Sequence, residues 1–586
     1  MPTARSPFAA APLIALALPA LVVADSWPPE RAREILEATL TVRLAPDLAH
    51  LTAGERAAVG ELLAAGELLQ RIYEQQKHRQ ADESRSALAA AGAREDLRTL
   101  FRIFQGPVAT TLDNRREPFL AVDAETPGKA VWPWGITVEE VEAFLAAHPA
   151  RRAELLDVRT AVRRATAAEV KRDLDALARH PALDALHPGL GERLRALAAA
   201  PDPKHLYAVP YALAWADELA AASLHLFAAA DAVAADDAEL AGYLRNRARD
   251  LLTNDYESGD APWVTGRFGR LNAQIGAYET YDDALFGVKA FHGLSLLVRD
   301  EGASAELARG LSGLQAIEDS LPWRSDRKVR SEVSAGVYDV VADFGQARGT
   351  NTATILPNDA LFSRRYGRTI LMRANVLRHD GLAGLAERRW RAAVAAAHAD
   401  AELGEGGFRR TLWHEVGHYL GPDRTADGRA LDEALQSWAD ALEEMKSDLV
   451  SLAVHERFRG EGTIDEATLA AVRASGVLRT LLSQRPRRDQ PYQTMQLAQF
   501  NFFLDRGLLA FDRDGRLTID HGRYAATVRE LLAEVIALQR GGDAGAAAEF
   551  FTRWTGWDER HQALGDRLQD AEGPRFRLVR YAALGE

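Results

Sequence analysis

His414 and His418, in the run His414-Glu415-Val416-Gly417-His418, combine residue type and spacing in a way that points directly to metal chemistry. On a helix, residues four apart lie one turn above each other on a single face, where two imidazoles can bind one zinc ion. Glu415 follows the first histidine directly, and on that reading it is the general base that takes a proton from a zinc-bound water. Glu444 and Asp448 stand four residues apart in the next helical segment, so they too share a face. The chain contains no cysteine, which excludes disulfides, thiolate zinc sites, cysteine nucleophiles and iron–sulfur clusters together. Any metal must therefore rest on histidine and carboxylates.

Those side chains need helices to hold them. Phe408, Leu412, Val416 and Leu420 form the apolar face that seats the first helix, and Gly421-Pro422 is its expected end. The second is expected over Leu431 to Phe458, with Leu431, Leu435, Trp438, Leu442, Met445, Leu449 and Leu452 as one apolar stripe. Glu444, Asp448 and His455 point away from that stripe, as they would on a solvated face or on a helix between core and cleft. Glu443 lies at a different angle and is the poorer ligand.

From Pro28 to about Asn254 the chain reads as stacked helices. Between Trp263 and Asn358 the runs Leu294 to Val298, Val337 to Val341 and Thr352 to Leu356 have strand character, and Phe576 to Tyr581 is a further strand candidate. The expected division is a signal peptide over 1–24, a helical region over 25–262, a mixed strand-containing substrate-binding region over 263–376, and a helical zinc-bearing region over 377–586. The signal peptide is read from the apolar run Leu13 to Val23 before Val22-Val23-Ala24, and it predicts export, with a cytoplasmic location as the alternative. No later stretch has the roughly 18 uninterrupted apolar residues of an integral membrane span. With 84 acidic against 71 basic residues, the net charge of −13 argues against nucleic acid as a partner. Arg529 to Glu534 has part of a Nudix box, but Ala533 stands where the second metal-binding glutamate belongs, so this stretch reads as an amphipathic helix.

The Glu444…Asp448 spacing resembles a device of thermolysin-like zincins, which implies that Glu444 is the third ligand and that Asp448 accepts the N–H of a ligating histidine. More specifically, Glu443-Glu444-Met445-Lys446-Ser447-Asp448 resembles the E-E-x-[RK]-[AS]-[ED] motif of the dipeptidyl peptidase III zinc exopeptidases. His414 to His418 is similar to the pentapeptide found in some bacterial members, one residue shorter than the usual H-E-x-x-G-H. Ile275 to Asp283 resembles the family's I-G-x-x-E-[ST]-Y-x-D, with Trp263 at the matching distance upstream.

This resemblance implies an α+β, mostly α fold of two lobes separated by a cleft, one helical and zinc-bearing, the other mixed with a small β-core. It implies one zinc per chain, short peptides as substrates, and release of dipeptides from a free N-terminus. Glu279 would hold the substrate ammonium, Tyr281 would support the oxyanion, and Asn358 and Asn375 would line the peptide groove. The family's transition-state histidine has no counterpart within Met495 to Phe500, so the alternatives are substitution by His455 or His521, or an oxyanion that relies on Tyr281 and the zinc alone. The alternatives are a zincin aminopeptidase or oligopeptidase and an inactive peptide-binding relative; the intact Glu415 argues against the last.

Overall fold

The computed structural model describes residues 26–586 except 324–327, 330–333, 357–361, 363–364, 368 and 488–489. The chain forms two compact units, one from residues up to 297 with 341–349 and 576–586, the other from 298–340 and 350–575. The architecture is α+β and mostly α, as expected. The proposed signal peptide and Asn358 lie outside the described residues.

The first unit is built on long helices. In α1 (Ala53–Lys77) the Thr52 hydroxyl accepts from the Glu55 N–H while the Glu55 side chain accepts from Thr52, satisfying two amide donors that a bare helix end leaves open. Helix α2 (Ala216–Val233) packs on α1, and α3 (Ala238–Thr253) packs on α2 in turn; Ala58, Leu62, Ala222, Leu226 and Leu244 are among their buried small and branched residues. The C-terminal strand Phe576–Tyr581 returns to pair in parallel with Thr39–Leu44, so both ends of the described chain share this unit.

Strands β1 (Leu271–Ala277), β2 (His292–Arg299), β3 (Ser334–Gly345), β4 (Ala353–Leu356) and β5 (Thr369–Arg373) are hydrogen-bonded in the order β1-β2-β3-β5-β4. β5 runs parallel to β3 and antiparallel to β4. The strands expected from β-branched composition are all present. The chain changes unit within β2 and again within β3, so the folded units cut the chain differently from the expected divisions at 262/263 and 376/377. Pairing between segments far apart in sequence, rather than local composition, determines that grouping.

The second unit is helical around one core that includes Trp390, Leu442, Leu449, Phe502, Phe503 and Leu531. Its main helices are α4 (Leu403–Gly417), α5 (Ala439–Gly460), α6 (Glu466–Arg479), α7 (Pro491–Asp505) and α8 (Tyr524–Gly541). The helix expected from Leu431 is in fact two. Leu431–Leu435 ends at Gln436, whose φ of 54° cannot continue an α-helix, and α5 starts only at Ala439. Arg529 to Glu534 lies inside α8, as its amphipathic pattern predicted. No helix among the described residues is long and apolar enough to cross a membrane.

Candidate metal centre

Close helix packing brings the chemistry-bearing residues together. A Cβ on Gly406 would lie 2.1 Å from the Ala471 carbonyl oxygen, so α4 can approach α6 closely only with glycine there. At the other end of α4, a Cβ on Gly417 would be 3.0 Å from both the Cα and the carbonyl oxygen of Ser447 on α5. Lys446, almost wholly buried, donates to the carbonyls of Gly417 and Leu420 at 2.8 Å each and so satisfies acceptors at the end of α4. The two motif-bearing helices are thereby fastened together, with His414 in the last turn of α4 and His418 at its C-cap.

Across that contact His414, His418 and Glu444 each present a ligand atom, all within 4.8 Å of one another. The imidazoles are 5.0 Å apart between centroids and nearly perpendicular. His414 Nδ1 donates to Asp448 Oδ1 at 2.8 Å, which leaves its Nε2 facing Glu444 Oε2 at 3.2 Å. His418 Nε2 is 3.9 Å from the other oxygen of the same carboxylate. Glu444 Oε2 is buried and makes no well-formed hydrogen bond among the described residues, the condition expected of an atom meant for a cation. Two neutral imidazoles and one carboxylate form the donor set of an open zinc site, so the residues fit the metal.

Each donor is held from behind. Asp448, 2% exposed, also accepts from Arg410 Nη1 at 2.8 Å and lies 3.4 Å from Arg479 Nε, and these cations with His414 hold its carboxyl well below the usual range despite burial. Burial alone would lower the His414 pKa, but Asp448 and Glu444 raise it to about 9. His418 Nδ1 is 3.0 Å from both Glu443 Oε1 and Ser447 Oγ. Glu443, half-buried beside Lys446 and His418, is pushed down to about 2 because those partners outweigh the cost of desolvation.

The cluster opens into a cavity of about 920 Å³, lined in part by Glu415, Tyr419, Asp440, Arg479 and Tyr492. Burial raises the Glu415 pKa, against the opposing pull of the two histidines. Tyr492 donates to Glu444 Oε1 at 3.0 Å; burial and that carboxylate push its phenol up to about 12.

The polar side of α5 is thus neither solvated nor a cleft wall alone, since Asp448 and His455 are buried among neighbouring helices. His455 accepts this position by hydrogen-bonding the Ser451 carbonyl and packing edge-on to Trp413, and it does not line the cavity. His521 lies against His398 and is likewise absent from the lining. Neither histidine thus lies at the cavity that holds the cluster. Sequence reasoning also missed Arg410, Arg479 and Tyr492. Arg410 had a signal, since it precedes His414 by one helical turn; the other two meet the site only through tertiary packing.

The upstream motif occupies the first unit. Gly276, at φ 137°, lies where a Cβ would sit 2.4 Å from the Tyr256 ring, which explains the glycine of this motif. Glu279 and Tyr281 lie just beyond β1, in a segment anchored by the two aspartates that follow. Asp282 accepts from Tyr73, Lys129 and Gln346 at 2.7–3.0 Å. The buried Asp283 accepts from the backbone N–H groups of Leu285, Phe286, Val288 and Lys289. Tyr281 itself is 66% exposed. Trp263 is buried and donates to Asn272. Asn375 spends its amide on both backbone groups of Val340 in β3, so it serves as a structural clamp.

No known family profile matches the sequence. A protein of Arabidopsis thaliana named Nudix hydrolase 3 is 28% identical over 360 residues, which cover 60% of this chain and 46% of that protein. The chain thus spans less than half the length of that relative. The fold is similar to that of DPP III from Caldithrix abyssi, with a TM-score of 0.78 at 24% identity, covering 94% of this chain and 99% of that one. It is also similar to dipeptidyl-peptidase III from Corallococcus sp. strain EGB, with a TM-score of 0.68 at 23% identity over 94% and 97% of the two chains. The resemblance carried by a few motifs therefore extends, as a likeness of fold, over nearly the whole chain.

Proposed function

We propose that this chain is a zinc peptidase that releases dipeptides from the free N-terminus of short peptides. The observation that carries this reading is the convergence of His414, His418 and Glu444 on one point, with Glu415 in the same cavity. Zinc, when bound there, supplies a Lewis acid for the scissile carbonyl and makes water a better nucleophile at neutral pH. The rest of the chemistry belongs to the chain. Asp448 keeps the His414 proton on Nδ1 and so presents Nε2 to the cluster, while Glu443 and Ser447 hold His418. Glu415 receives a proton from the attacking water on its carboxylate and passes it to the leaving amine.

For Glu279 and Tyr281 the support is their motif and the anchoring of the segment that bears them by Asp282 and Asp283. In this proposal Glu279 accepts hydrogen bonds from the substrate ammonium and Tyr281 donates to the developing oxyanion. Asn358 is proposed only by its motif, and Asn375 has its amide already engaged by Val340. Export is likewise proposed from the sequence of residues 1–24, and N-terminal sequencing of the native protein tests it: a mature chain beginning near Asp25 is the expected result.

A nucleoside-diphosphate hydrolase reading, suggested by the name of the plant relative, has no support at Arg529 to Glu534, where Ala533 replaces a required carboxylate within α8. Metal analysis with a dipeptidyl 2-naphthylamide assay tests the proposal. About one zinc per chain and chelator-sensitive release of naphthylamine are expected; a metal-free chain with full activity would refute it.

A further inference from the structure

Tyr492 occupies an unusual position in the cavity. It is the second residue of α7, directly after Pro491, whose fixed φ and position at the first helical residue define the backbone there. Its hydroxyl donates to Glu444 Oε1, while the other oxygen of that carboxylate, Oε2, faces His414. The side chain is 51% exposed, so the hydrogen bond to Glu444 does not enclose it. A phenol used only to brace a carboxylate is better buried. Here the O–H lies beside the proposed ligand set and remains open to whatever enters the cavity with Glu415.

We infer that Tyr492 is a further catalytic residue, whose hydroxyl turns from Glu444 to donate a hydrogen bond to the oxygen that gains negative charge as the peptide bond is attacked. This inference rests on the peptidase reading. No bond to Tyr492 is made or broken, and its proton stays on the phenol throughout. A donor of this kind is worth little to a planar amide and much to a tetrahedral oxyanion, so its effect belongs in the rate of the chemical step. The rotation needed is about the Cζ–O bond alone, which leaves the ring and α7 in place.

The competing role is positioning: the phenol could serve only to hold Glu444. Tyr492→Phe distinguishes the two, because it keeps the ring. In the zinc-loaded full chain, kcat should fall by about 10²-fold, the loss typical of one oxyanion donor, with KM changed by less than threefold. Zinc affinity, read by chelator competition, should change by less than threefold. Affinity for a phosphinic pseudopeptide, which mimics the tetrahedral centre, should fall by tenfold or more, while affinity for an uncleaved peptide measured in a Glu415→Gln background should not.

An unchanged kcat would overturn the assignment. So would a tenfold loss of zinc affinity whose kinetic defect excess zinc repairs, since that outcome makes Tyr492 a positioning residue. If the wild-type zinc-loaded chain cleaves no peptide, the peptidase reading fails by itself. The phosphinate comparison still decides Tyr492 in that case: a selective tenfold loss supports the donor, and equal affinities refute it.

Discussion

Asp448 is the residue on which the electrostatics of the site converge. One buried carboxylate faces His414, Arg410 and Arg479, and the two arginines draw charge away from the bond that orients the imidazole. Asp448→Asn keeps the shape but can present an N–H where His414 needs an acceptor. Zinc affinity should fall by about 10–100-fold, the usual loss when a partner of a ligating histidine is removed. Titration with a competing chelator measures it. Glu415 plays a different part, since it lines the cavity without belonging to the ligand set. Glu415→Gln should retain about one zinc per chain while kcat falls by about 10²–10⁴-fold, the range for a lost general base; metal content measured beside turnover separates the two effects. The i, i+4 pairing of Glu444 with Asp448 was legible because helical geometry is local. Arg410 carried the same kind of local signal, one turn before His414, whereas the roles of Arg479 and Tyr492 were not legible, because contacts of α6 and α7 with α5 bring them to the cluster.

Helix α4 is positioned by what it lacks. At Gly406 the neighbouring atom is a backbone carbonyl, which cannot turn aside as a flexible side chain can. Gly406→Ala should therefore force α4 away from α6 and destabilise the fold by about 1–3 kcal/mol, as overpacking does. Urea denaturation would show this as a lower midpoint, and an unchanged midpoint would mean that the contact yields freely. Strands β2, β3 and β4 were legible from β-branched and apolar runs, whereas β1 and β5 were not singled out, and the order was not legible either, since the parallel pairing of β5 with β3 depends on the intervening chain. The break at Gln436 escaped the apolar stripe because Leu435 and Trp438 keep helical spacing across a residue with positive φ.

At the scale of the whole molecule, acid stability should reflect two histidines buried in different units. Burial lowers His292 to about 3 and His455 to about 4, where free histidine titrates near 6.5. Below pH 6.5 the unfolded chain takes up protons that the folded chain refuses, so stability is lost as pH falls, by at most about 1.4 kcal/mol per pH unit for each histidine. Ordinary carboxylates titrate nearer pH 4, and other histidines lowered by burial, such as His78 and His187, contribute in the same interval, so the effect is read as the difference between a variant and the wild type from pH 6.5 to 5. His292→Gln should show a shallower fall in urea midpoint between pH 6.5 and 5 than the wild type; equal slopes would mean that His292 is already charged in the fold. The likeness of fold to dipeptidyl-peptidase III proteins spans 94% of the chain, but its identities of 23–24% leave the reaction to be established from the site.

The most direct test is the first product from an unmodified octapeptide, followed by mass spectrometry with the zinc-loaded chain. A carboxylate that meets the substrate ammonium gains about 1.5–3 kcal/mol only where the N-terminus is free. Intact N-terminal dipeptides should therefore appear first, and an N-acetylated octapeptide should be cut far more slowly. Single amino acids or internal fragments as first products, with equal cleavage of the acetylated peptide, would contradict the proposed function.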